Sequence, residues 1–141
     1  MKKATRLISL ILVFSLILAV PVSAEDPTPR ASIFFSSYRA YCTKLSPTSI
    51  GISFQVIGVG TMDVLGASQV RLQRSSDGEN WTTVKTFDKA IYSSMTDTNT
   101  AGHGSTLSST VQAGYYYRAV VTFYAKNSVG TGYKDYYTAK V

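Results

Sequence analysis

A single cysteine and a single histidine among 141 residues leave little of the chemistry that small proteins usually perform. One thiol cannot close an internal disulfide, so the fold must rest on its hydrophobic core. One imidazole, His103, set between Gly102 and Gly104 with no second spaced histidine and no cysteine pair, makes no zinc site. The eight acidic residues are scattered, only Glu25 and Asp26 being adjacent, and those in the leader, so no carboxylate pair is spaced for acid–base work. Calcium could draw only on Asp63 or Asp97, and nothing else gathers around either. The nucleophile elbow Gly-x-Ser-x-Gly is missing. A Cys42–His103 dyad is formally available, but Cys42 alternates in phase with Tyr38 and Ala40, which is the pattern of an inert core thiol. No catalytic, cofactor-binding or metal-binding residue is therefore assigned, and the chain reads as no enzyme.

Runs of lysine or arginine are also missing. The formal net charge is +6, but Lys2, Lys3 and Arg6 contribute three of the fourteen cations in a segment expected to be removed. The eleven that remain face eight acids, a balance of +3 that gives nucleic acid no electrostatic footprint. Past residue 24 there is no heptad pattern, tandem repeat or amphipathic helix.

The first segment reads as a signal peptide over residues 1–24. A cationic start precedes fourteen residues, Leu7 to Val20, interrupted only by Ser9 and Ser15, and Val22-Ser23-Ala24 offers small side chains to a peptidase cutting after Ala24. A run of fourteen residues falls short of the roughly 20 that span a bilayer, so the expected product is secreted, without stable membrane insertion. The alternative is an anchor through an uncleaved segment. Residues 25–37, with Pro27 and Pro29, read as a leader, and 38–141 as the folded domain.

Within 38–141 apolar residues recur with period two, in short runs broken by Gly, Ser, Asp and Asn. Tyr38, Ala40 and Cys42 share one face of a first strand ending near Leu45. Ile50, Ile52, Phe54 and Val56 alternate through a second, Ser49 to Val59. A bend at Gly58 to Asp63 leads to a third, Ser68 to Ser75. Asp77-Gly78 marks a turn before a fourth strand, Trp81 to Phe87. Asp88 to Ser105, rich in Ser, Thr, Asp, Asn and Gly, reads as a long irregular passage holding His103. Leu107, Ser109 and Val111 make a short fifth strand. Tyr115 to Lys126, with Tyr117, Ala119, Val121 and Phe123 inward, is the sixth and strongest, and Tyr133 to Val141 the seventh. About seven short strands imply an all-β fold, an antiparallel β-sandwich.

The hairpin Ser75 to Val84 and the segment Gly114 to Gly130 resemble the fibronectin type III and immunoglobulin-like sandwiches. In that superfamily a tyrosine at the start of the sixth strand bonds back to its own corner, and Tyr117 holds the matching position; the resemblance implies an internally bonded hydroxyl. Phe54 stands where those domains carry a tryptophan. The hairpin at Ser75–Trp81 is also similar to the Asp-box of sialidase propellers, as a single copy. A second resemblance rests on Thr61-Met62-Asp63, Gly66-Ala67-Ser68, Trp81 to Phe87, Asn99-Thr100 with His103, and Tyr117 to Asn127. It is to a family of short exported proteins of Gram-positive, gut-type bacteria known as a domain of unknown function. It implies export and transfers no activity.

Ten tyrosines exceed what one small core can hold, and each offers a rigid apolar face with a hydrogen-bonding tip. Alternation turns Tyr116, Arg118, Tyr124 and Lys126 outward on the sixth strand, with Tyr136 expected to join them from the seventh. Outward tyrosines also serve simply as strand formers in cross-strand pairs. As a site, the five residues would form a binding face for a cell-wall glycan or another extracellular protein. The function expected is thus a non-catalytic extracellular binding or interaction module. The alternatives are a self-associating surface-structural protein, pairing through the last strand, and a small secreted effector or bacteriocin-like protein.

Overall fold

The computed structural model describes residues 32–141. The expected signal peptide, its Ala24 cleavage site and the first part of the leader lie outside the described residues. The chain forms β1 (Phe35–Ser46), β2 (Ser49–Ser75), β3 (Thr82–Asp88), β4 (Thr96–Thr110), β5 (Tyr116–Asn127) and β6 (Gly130–Tyr137), with one 3-10 turn at Ser93–Met95. Every pairing is antiparallel. The all-β reading holds, and the strands form one curled sheet. β1 begins at Phe35, so the last residues of the expected leader already belong to the sheet.

The expected seven strands are six because the second and third are one. β2 has 27 residues, which at about 3.3 Å each would reach roughly 90 Å if straight. It curls instead. Opposite β4 the register passes from Ile57↔Gly102 to Met62↔Thr100, leaving three extra residues on β2. Opposite β5, Ser68 is one extra residue between Ala67↔Phe123 and Gln69↔Thr122. Such insertions bend a strand and sharpen its twist. Gly58 to Asp63, expected to end a strand, therefore bends β2 from within. Gly60 adopts a φ of +80° there, a conformation open to glycine at little cost. Gly66 has a different reason to be glycine: a Cβ would overlap the Met95 carbonyl and come within 2.7 Å of Thr96 Cα.

The bend gives β2 two sets of neighbours. Ser49 to Ile57 lies between β1 and β4, whereas Gln69 to Arg74 lies between β5 and β3. β4 overturns the expected irregular passage at 88–105, for only 89–95 connects strands and Thr96 onward is paired. Its polar composition hid it, since Leu107 and Ser109 are the only buried side chains in its 15 residues. What holds β4 is the backbone ladder to β2, from Ser49↔Thr110 around the bend to Gly66↔Thr96. No apolar stripe is needed when the partner supplies a continuous row of amides and carbonyls.

Curling brings the inward side chains of the two halves together. Ile50, Ile52, Phe54 and Val56 from the first half and Val70, Leu72, Tyr117, Val121 and Phe123 from the second are all buried. Phe123 on β5 meets Phe54 at 6.2 Å and Tyr38 of β1 at 5.4 Å between ring centroids, both tilted or edge-on, the arrangements aromatic quadrupoles favour. After β6 the chain stays on β5. Thr138 Oγ1 accepts the Ala119 amide at 2.9 Å, and the Tyr117 and Val141 backbones exchange bonds of 3.0 and 2.9 Å.

The two glycines make different predictions. Nothing lies within 4 Å of a Cβ on Gly60, so Gly60→Ala is expected to cost only the left-handed backbone, about 1–2 kcal/mol. Gly66→Ala must also displace the Met95 backbone and is expected to cost about 3 kcal/mol or more. Urea midpoints at unchanged m-value measure both.

Candidate functional site

The β5–β6 hairpin decides which tyrosines face water. Asn127 pairs with Gly130 across the two-residue turn Ser128-Val129, and the Asn127 side-chain oxygen accepts the Val129 and Gly130 amides at 2.9 and 3.2 Å. That register sets Tyr136 opposite Val121, on the core side, where its ring meets Tyr38 and Phe123 at 6.2 and 6.5 Å. Tyr136 therefore leaves the expected face, and Tyr133 and Tyr137 take the outer positions opposite Tyr124 and Val120.

The other four expected residues do point away from the core, but they do not act together. Tyr116 is 45% exposed and Tyr124 only 7%. Lys89, from the connection after β3, places its ammonium 3.8 Å from the centre of the Tyr124 ring, and Tyr133 packs at 5.2 Å. Tyr124 is thus an anchor for these two side chains and presents no open ring. Lys126 is exposed, but it stands eight residues from Arg118, roughly 26 Å along the strand. The expected face divides into two distant ends.

At the Arg118 end the structure assembles a cluster that alternation alone missed. The Arg118 guanidinium lies 4.4 Å from the Trp81 ring centre and 5.2 Å from that of Tyr137. Its Nε donates to Gln73 Oε1 at 2.8 Å. Each neighbour follows from register: Gln73 pairs with Arg118 on β2, Tyr137 with the adjacent Val120 on β6, and Trp81 enters β3 beside them. The single ion pair among the described residues is Arg71–Asp135, at 3.8 Å, with Asp135 also accepting the Thr122 hydroxyl at 2.6 Å. Arg118 has no carboxylate of its own there, so its charge is met only by π faces, one amide and solvent. A planar guanidinium set against two rings, with its Nε bonded to Gln73, is restrained in orientation and leaves its Nη donors for other partners. Such an array suits the hydroxyls and carboxylates of a sugar lying on the aromatic edges.

The turn before β3 holds Trp81 in place. Buried Ser75 donates through Oγ to Asp77 Oδ1 at 2.7 Å and accepts the Gly78 amide at 2.8 Å. Asp77 accepts the Asn80 and Glu79 amides at 2.8 and 2.9 Å and the Asn80 side-chain amide at 2.7 Å. These bonds, the Asn80 backbone amide first, hold the Asp77 carboxyl far below the ordinary carboxylate range. The Asp-Gly signal is realised as a six-residue loop, 76–81, in which Gly78 takes a φ of +76°.

The residues considered for catalysis lie apart. Cys42 is buried, and loss of hydration pushes its thiol up to about 11. Along β2 it pairs with Ile52, while His103 pairs with Val56 from the opposite flank. That spacing separates them by four residues of strand and two strand widths, roughly 16 Å. His103 is a strand residue, not a loop residue. Its Nε2 donates to the Ser94 carbonyl at 2.8 Å and its ring lies 6.2 Å from Phe54, so it ties β4 to the 3-10 turn. Among the described residues no three His, Cys, Asp or Glu side chains converge as metal ligands, Asp63 and Asp97 included. No protein-family model matches the chain, and no curated protein matches it.

Because the folded-state pKa of Asp77 is depressed, its stabilising contribution is complete above the unfolded value of about 4 and fades as pH falls below it. Asp77→Asn is expected to lower the melting temperature at pH 7 and to flatten its decline between pH 5 and pH 2. Thermal melts followed through Trp81, the sole tryptophan, measure both. An unchanged acid slope would mean that Asp77 does not hold the turn.

Proposed function

We propose that this chain is a secreted, non-catalytic binding module that holds an extracellular glycan across Trp81, Arg118 and Tyr137. The observation that carries this reading is the Arg118 guanidinium, set against the Trp81 and Tyr137 rings and oriented by Gln73 without a carboxylate partner. Gln73 takes only the Nε donor, and a ligand bearing hydroxyl or carboxylate oxygens would engage the Nη donors. Sequence features support export: the cationic start, the apolar run and the small residues before Glu25. The protein is then delivered outside the cell, where an acidic wall polymer is the natural occupant of such a face.

The scaffold belongs, in this proposal, with the fibronectin type III and immunoglobulin-like sandwiches. The Tyr117 hydroxyl donates to the Gln112 carbonyl at 2.6 Å, five residues upstream, the kind of corner bond that recurs there. The inward rings of the two halves of the sheet also face each other as layers would. The kinship with short exported proteins of gut-type bacteria is proposed on the sequence motifs alone.

A second reading, self-association, draws on β6. Among the described residues it pairs on one side only, with β5, and exposes Tyr133 and Tyr137, so a copy could add along its other edge.

The glycan reading is tested by retention on purified cell-wall material and on acidic oligosaccharide arrays. Wild type is expected to bind, Trp81→Ala and Arg118→Gln to lose about tenfold or more in affinity, and Lys126→Ala, at the far end, to bind normally. No retention by wild type, or equal loss from Lys126→Ala, rejects the reading. Sedimentation of a concentrated sample as a monomer rejects self-association.

A further inference from the structure

On the opposite side of the β2–β5 layer from Arg118, the curled sheet stays open. β3 and β4 both pair with β2, along different stretches, and not with each other. Where their edges part, a pocket of about 360 Å³ opens toward the core, within the roughly 300–1,000 Å³ range of small-molecule sites. Leu72 and Tyr117 line it from the sheet interior, and Val84 and Val111 from the two edges. Two cations also line it. Arg74 lies over the Tyr115 ring at 4.5 Å and donates through Nη1 to Gln112 Oε1 at 3.1 Å. Lys85 holds its ammonium 4.9 Å from the Phe87 ring centre. Neither forms an ion pair among the described residues, where the single such pair is Arg71–Asp135.

We propose that this pocket binds a small organic anion with an apolar body, a medium-chain or aromatic carboxylate, its body against Leu72, Val84, Val111 and Tyr117 and its head between Arg74 and Lys85. The assignment follows from the combination. A purely apolar pocket would take neutral ligands equally well, and surface cations alone would take any anion weakly. Two unneutralised donors at the rim of a part-apolar recess favour an acid over its neutral isostere, because only the acid gains charge-assisted hydrogen bonds there. The floor is fixed in advance: the bond from the Tyr117 hydroxyl to the Gln112 carbonyl holds the β4–β5 connection against it. Size excludes a polymer from the recess, so this site is separate from the glycan face and does not depend on it.

The test uses the full chain, with anilinonaphthalene sulfonate fluorescence as reporter and octanoate and octanamide as competitors that share one apolar body. Octanoate is expected to displace the reporter at about tenfold lower concentration than octanamide. Arg74→Gln with Lys85→Gln should abolish that preference, Val84→Glu should remove the displaceable signal, and Arg118→Gln should change nothing. All the substituted side chains are at least partly exposed, and unchanged melting temperatures establish that each variant is folded. Equal displacement by acid and amide, or a preference that survives the double substitution, overturns the proposal.

Discussion

The backbone ladder of β2 is the constraint on which every other part of this structure rests. Among the described residues it is the only strand paired with β1, β3 and β4, and it shares β5 with β6. Its inserted residues and glycines let one strand serve both halves of a curled sheet, since a flat strand of that length could bury only one face of a much larger sheet. The bend between Ile57 and Met62 turns the rows Ile50–Val56 and Val70–Leu72 toward a common interior. From that follow the meeting of Phe54 with Phe123, the outward placement of Arg118 opposite Gln73, and the gap where β3 and β4 diverge.

Both proposed sites are products of that geometry. The Arg118 cluster sits where β3, β2, β5 and β6 lie side by side, so Gln73, Arg118 and Tyr137 are held by strand register and Trp81 by the bonded turn that leads into β3. The pocket sits where the same four-strand layer faces the end of β4. One layer thus offers a planar donor array to the outside and an apolar recess with cationic walls to the inside. Cys42 and His103, the two residues with the most reactive side chains, are meanwhile absorbed into packing and strand tethering.

Much of the fold was legible because alternation is a local signal. Ile50 to Val56 and Tyr117 to Phe123 read correctly as half-buried strands, whereas the bond from the Tyr117 hydroxyl to the Gln112 carbonyl was expected from the resemblance alone, not from the strand pattern. What could not be read depends on partners remote in sequence. Thr96 to Ser105 carries no apolar stripe, so its strand is visible only through β2, whose partner residues lie 30 to 51 positions away. Gly58 to Asp63 looks like a loop because it bends, yet β4 follows it around. Within the site, Tyr116 and Arg118 were placed correctly by parity. Tyr136 was misplaced because its face is set by its partner Val121 across the β5–β6 hairpin, a relation that alternation along either strand alone does not supply. Trp81 and Gln73 were hidden because cross-strand neighbours have no fixed spacing in a single chain.

The pairing of Ser49 with Thr110 also orders events in time. A chain made from its amino terminus can form the β1–β2 hairpin early, but the other flank of β2 stays bare until sixty further residues have been added. Throughout that interval the row Ile50, Ile52, Phe54 and Val56 has an open edge beside it and no opposing layer. Contacts of such long sequence separation close slowly, so the vulnerable species for this protein is a half-made one, and the polar β4 that arrives late acts as the built-in cover for a strand that is otherwise prone to stick.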